Sequence, residues 1–159
     1  MEYYDVGFLA TITLDNLLVL ISKYTVLDKN QVVSDEEFEN ILESGKILIG
    51  IELMHQHQDF QTWITMTCLN YKFDRLNLVN FGIMMAKTLN TEVAIEDPLW
   101  KGDSGVSSMM IISSVQTYNK AYFYQDNDND GNITMKSYEK EGKNISQVIQ
   151  ELELLKLRS

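Results

Sequence analysis

Two runs of alternating side chains, separated by a short polar gap, constrain this chain more than anything else in it. Ile47, Ile49, Ile51 and Leu53 alternate with Leu48, Gly50, Glu52 and Met54. Between Phe60 and Tyr71, Ile64, Met66 and Cys68 alternate with Trp63, Thr65 and Thr67. A period of two places successive side chains on opposite faces, so both runs read as strands. The polar stretch Gln56 to Gln61 between them predicts an antiparallel hairpin with a long tip. Cys68 then falls opposite about Gly50.

The remaining segments supply cover for such a sheet. Tyr4 to Thr13 alternates, with Val6, Phe8, Ala10 and Ile12 on one face of a strand. Thr13 is placed to cap a helix carrying Leu14, Leu17, Leu18 and Ile21, with Tyr24 one turn on. Val26 to Val33 reads as a loop or a short extended piece. Ser34-Asp35-Glu36-Glu37 is a capping-box pattern, in which Ser and Glu satisfy each other's backbone N–H groups. Phe38, Ile41 and Leu42 give that helix its apolar side, and Gly45 is its expected stop. Asp74 caps a third helix running to about Leu89. Asn77, Asn80, Lys87 and Thr88 make only a narrow polar stripe on it, which suits a central packing element.

Val93 and Ile95 mark a strand ended by Asp97-Pro98, and a loop follows from Leu99 to Gly105. Met109 to Ile112 is apolar on both faces, as an interior strand requires. Ala121 to Gln125 and Ile133 to Tyr138 flank the acidic turn Asp126 to Gly131. Asn144 or Ser146 opens a last helix with Ile145, Val148, Ile149, Leu152 and Leu155 on one side. This order predicts an α+β fold: a single domain over residues 1–159, with about four helices packed on a largely antiparallel sheet as a two-layer sandwich. The chain has 159 residues, a length that fits one domain. A weak separation of two halves is expected near Pro98 to Gly105, with one domain the better reading.

Composition then removes whole classes of function. A single Cys forms no internal disulfide, which excludes a stapled secreted scaffold. A formal charge of -10 argues against nucleic acid as the main partner, because phosphate binding rests on Lys and Arg. Met1-Glu2-Tyr3-Tyr4-Asp5 lacks the cationic start of a signal peptide. The apolar run Phe8 to Ile21 is broken by Asp15 and Asn16, and a bilayer span needs about 20 apolar residues. The expected setting is the cytoplasm, with no membrane partner.

The motifs that could carry chemistry are few. Asp126, Asp128, Asp130 and Asn132 match the first half of a calcium loop, with Gly131 allowing the sharp turn. The twelfth position is Ser137 rather than a bidentate carboxylate, and the flanks read as strands, so any calcium binding is expected to be weak. A hairpin tip is the simpler reading, since Asn, Asp and Gly accept left-handed dihedrals. His55 and His57 form H-x-H at the end of a strand, the spacing of some metal sites and the basis for an alternative small enzyme. Cys68 lies on an apolar face, where a free Cys acts as a small hydrophobe. No phosphate-binding loop, nucleophile elbow or dinucleotide fingerprint is present. No cofactor other than weakly held calcium is expected.

What remains is acid and one exposed aromatic. Glu36, Glu37, Glu39 and Glu43 populate one helix, while Glu92, Glu96, Asp97 and Asp103 surround Trp100. Trp anchors many interfaces, and a negative surface speeds association with a positive one. The set Glu92, Glu96, Asp97, Trp100 and Asp103 is therefore the candidate partner-binding face. In general character, compact, acidic and without an enzyme motif, the chain resembles small bacterial immunity and inhibitor proteins. That resemblance rests on no motif and assigns no residue. It implies a basic protein partner, such as a toxin, and is compatible with a homodimer.

Overall fold

The computed structural model describes residues 1–42, 45–57, 59–101, 106–125 and 133–158, with the backbone alone for 57, 106, 107, 123–125 and 133–141. The fold is α+β, with four helices among the described residues and a largely antiparallel arrangement of strands. The chain forms two compact units, Met1–Phe73 and Asp74–Ser159.

In the first unit, β1 (Glu2–Phe8), β2 (Val32–Ser34), β3 (Leu48–His57) and β4 (Phe60–Leu69) run in the order β2-β3-β4-β1. α1 (Leu14–Thr25) and α2 (Asp35–Asn40) complete it. β3 and β4 pair antiparallel, as the alternating runs predict, but the tip is short: His57 already faces Phe60. Polar side chains do not stop a ladder, whose bonds are made by the backbone. This tighter turn sets the register, so Cys68 faces Ile49 rather than Gly50.

β1 ends at Phe8, earlier than the alternation implies. Beyond it the backbone is held by a side chain instead of a strand. Buried Thr62 accepts from the Ile12 amide at 2.9 Å and donates to the Ala10 carbonyl at 2.9 Å. Thr13 caps α1 through the Asn16 amide, and Leu17 and Ile21 are its buried side. Tyr4 ties the far end of β1 to the end of the unit. Its hydroxyl donates to the Phe73 carbonyl and accepts from the Phe73 amide, with the two rings edge to face.

The capping box of α2 forms as expected: Glu37 N–H donates to Ser34 Oγ, and Ser34 N–H to Glu37 Oε2. The helix stops at Asn40, short of Gly45, and leaves Ile41 and Leu42 exposed. Asp35 and Glu39 repel each other one turn apart, and no cation stands in the last turn to meet the negative helix end. Phe38 alone seats α2, with its ring directly over Gly50 of β3; a Cβ there would lie 2.7 Å from Phe38 Cγ. β2 joins β3 in parallel.

In the second unit, β5 (Val93–Glu96), β6 (Val106–Ile112), β7 (Thr117–Gln125) and β8 (Ile133–Asn144) run in sequence order, each antiparallel to the next. α3 (Arg75–Leu89) packs on β5 and β6, and α4 (Ser146–Leu157) packs on α3. Asp74 caps α3 through the Asn77 amide at 2.7 Å. Its carboxyl is held below the usual carboxylate range, chiefly by that amide, with Lys156 of α4 adding to the effect. α3 buries Leu78, Val79, Phe81, Met85 and Ala86. α4 buries Val148 and Leu152, while Leu155 stays partly in solvent. β7 and β8 are longer than their apolar stretches, with Gln125 facing Ile133 and two irregularities in register. Among the described residues, no helix is long and apolar enough to cross a membrane.

Candidate interaction surfaces

The residues selected from the sequence around β5 fall into different environments. Glu96 is exposed, and Glu92 and Trp100 are half-buried. Asp103 lies outside the described residues. Asp97 is only 3% exposed. Its Oδ2 accepts from Ser108 Oγ at 2.9 Å and lies 3.4 Å from Lys120 Nζ, while its Oδ1 accepts from the Leu99 amide at 3.0 Å. The Trp100 amide closes the turn onto the Asp97 carbonyl. A buried carboxylate is tolerated when it is paired and hydrogen-bonded. The bonds to Ser108 and Lys120 join the end of β5 to β6 and β7, while the Leu99 and Trp100 amides close the turn that follows β5. Asp97 thus serves as an internal clasp, and its charge is balanced by Lys120. Trp100 rests on Tyr122, with ring centroids 5.7 Å apart.

The candidate calcium ligands Asp126, Asp128, Asp130 and Asn132 also lie outside the described residues. The elements on either side are paired strands, not the helices of an EF-hand. His55 is exposed and faces Thr62 across the hairpin. The side chain of His57 is outside the described residues. Among those described, no group of three or more His, Cys, Asp or Glu could hold a metal ion.

Cys68 is fully buried, and burial pushes its thiol up to about 12, with the charge of Glu2 adding to this. A nucleophilic thiol needs the opposite shift and a nearby base. His55 faces Thr62, far along β4 from Cys68, roughly 20 Å at a rise of about 3.4 Å per residue.

A second feature belongs to the first unit and was not marked by any sequence motif. An open groove of about 690 Å³ runs between α1, the segment 26–32 and α2. Leu18, Val19, Val26, Leu27 and Val32 give it an apolar lining, and Asp15, Asp28 and Glu37 supply acid beside Lys23 and Lys29. Beside Glu37, α2 also exposes Glu36 and Glu39 to solvent. Glu43 lies outside the described residues. The one signal in the sequence is Thr25-Val26-Leu27, which places an apolar residue where a helix end normally carries Gly or Asn.

The acid is unevenly divided. Met1–Phe73 holds 11 acidic and 4 basic residues, a formal charge of -7. Asp74–Ser159 holds 12 acidic and 9 basic residues, a formal charge of -3. Compared with known proteins, the chain matches no family model, no curated protein and no solved structure.

Proposed function

We propose that this protein is a non-enzymatic, acidic interaction protein that occludes a positively charged site on a protein partner. An immunity or inhibitor protein directed at a nuclease toxin, whose cleft is built for phosphate, is the kind of protein that fits. The observation that carries this reading is the concentration of charge. The unit at -7 presents Asp15, Asp28, Glu36, Glu37 and Glu39 to solvent. A field of one sign steers an oppositely charged partner and raises its rate of encounter.

Native-lysate co-purification at low and at high salt tests it, using wild type beside Glu36→Lys/Glu39→Lys. The screening length falls from about 10 Å at 0.1 M to about 3 Å at 1 M salt. The reading expects a specific protein retained at low salt, released at high salt, and lost from the charge-reversed variant. Retention indifferent to both salt and charge reversal contradicts it.

A further inference from the structure

We propose that the groove of the Met1–Phe73 unit seats a basic amphipathic segment of the partner. An apolar side chain lies against Val19 and Val26, and flanking Lys or Arg side chains meet Asp15, Asp28 and Glu37. This rests on the reading of the protein as an acidic binding module, and names the place and the chemistry of contact.

Two helix ends in the same molecule carry the argument. α1 and α3 close with the same turn, in which one residue takes the left-handed conformation and the next amide returns to a carbonyl in the last turn. Leu27 N–H reaches the Ser22 carbonyl at 3.2 Å, and Thr91 N–H reaches that of Ala86 at 3.2 Å. Such a turn favours Gly or Asn. α3 follows the rule with Asn90, at φ 48° and ψ 50°. α1 uses Val26, at φ 57° and ψ 30°. A β-branched residue in this region is an outlier, since its Cβ crowds the backbone.

Among the described residues of the unit, no contact rewards that choice. Val26 is 89% exposed, and Val19, which lines the same groove, is 67% exposed. Backbone and solvation both favour a polar residue at 26, so a contact from outside the chain is what gives valine its use there. The groove volume suits a few side chains of a peptide. Three acids against two lysines on its lining, in a unit at -7, favour a positive occupant.

The test is an NMR titration of the ¹⁵N-labelled protein with two short peptides of equal charge and length, one alternating Lys with Leu in an amphipathic pattern, the other Lys with Ser. The Lys/Leu peptide is expected to shift the amides of Leu18, Val19, Val26 and Leu27 and to bind about fivefold tighter than the Lys/Ser peptide, the worth of roughly one buried methyl or methylene. Val26→Asn is expected to lose about that fivefold while melting about 2–4 °C higher, because the turn is relieved. Val19→Ser, on the exposed face of α1, should weaken binding without changing the turn.

Equal affinity for the two peptides, shifts confined to α2, or unchanged affinity in Val26→Asn overturns the groove assignment and leaves the charge reading standing. Tighter Lys/Leu binding that ignores salt keeps the groove and removes the charge reading. Self-association of the free protein in sedimentation, abolished by Val26→Asn, would make a second copy the occupant and overturn the proposal.

Discussion

In the Met1–Phe73 unit Glu36, Glu37 and Glu39 of α2 stand in solvent, whereas Asp97 of the Asp74–Ser159 unit is buried and answered by Ser108, Lys120 and the Leu99 amide. The same residue types do opposite work in the two places. One carboxylate clasps the end of a strand to its neighbours, and its field is largely cancelled by Lys120. The others add up to a field that reaches solvent. Net charge alone does not distinguish these uses. Burial and the position of the nearest cation do.

The difference can be broken first at its strongest point. Asp97→Ala strands Lys120, which is 27% exposed at its side chain, and removes the acceptor of the buried Ser108 hydroxyl. Breaking such a buried pair on one side costs about 3 kcal/mol or more. Urea denaturation should show this loss, while Glu36→Ala on exposed α2 changes stability by less than about 0.5 kcal/mol.

Glycines that support the helices come next. Gly50→Ala presses a Cβ into Phe38, whose Cβ and ring atoms lie 2.7 to 2.9 Å away, and so pushes α2 off the sheet. Overpacking of this kind costs about 2 kcal/mol. Gly82→Ala of α3 meets Ile112 Cδ1 at 2.7 Å, the free end of a flexible side chain, and should cost clearly less in the same assay. Loss of the α2 cap in Ser34→Ala follows, at about 1 kcal/mol, and is read as a lowered melting temperature.

Cys68 gives the smallest effect at ordinary pH. The folded thiol keeps its proton up to about 12, while the unfolded one releases it near 9.0. Its contribution to stability is complete below about 9 and is lost as pH rises through about 12. Thiol reagents at mildly alkaline pH should label the unfolded chain and leave the native one unmodified.

Much of the fold could be read from local chemistry. The cap at Asp74, the capping box at Ser34 and the alternating faces of β3 and β4 depend on residues a few positions apart, and these appear as expected. β2 was too short, at three residues, for any periodicity to reveal it. The register of the hairpin depended on a tip tighter than its polar sequence implies. The role of Asp97 depended on Ser108 and Lys120, which reach it only through the pairing of β5, β6 and β7. The groove is assembled from three separate segments, and only the misfit of Val26 with its helix end left a mark in the sequence.

The most direct test sets one unit against the other. Glu36→Lys/Glu39→Lys on α2 and Glu92→Lys/Glu96→Lys at β5 change net charge by the same amount. Their affinities for the co-purified partner should be measured side by side at about 0.1 M salt, where charges interact over about 10 Å. The account predicts a loss of about tenfold for the α2 pair and less than about twofold for the β5 pair. Equal losses, or the larger loss at β5, would contradict the claim that the first unit presents the binding charge.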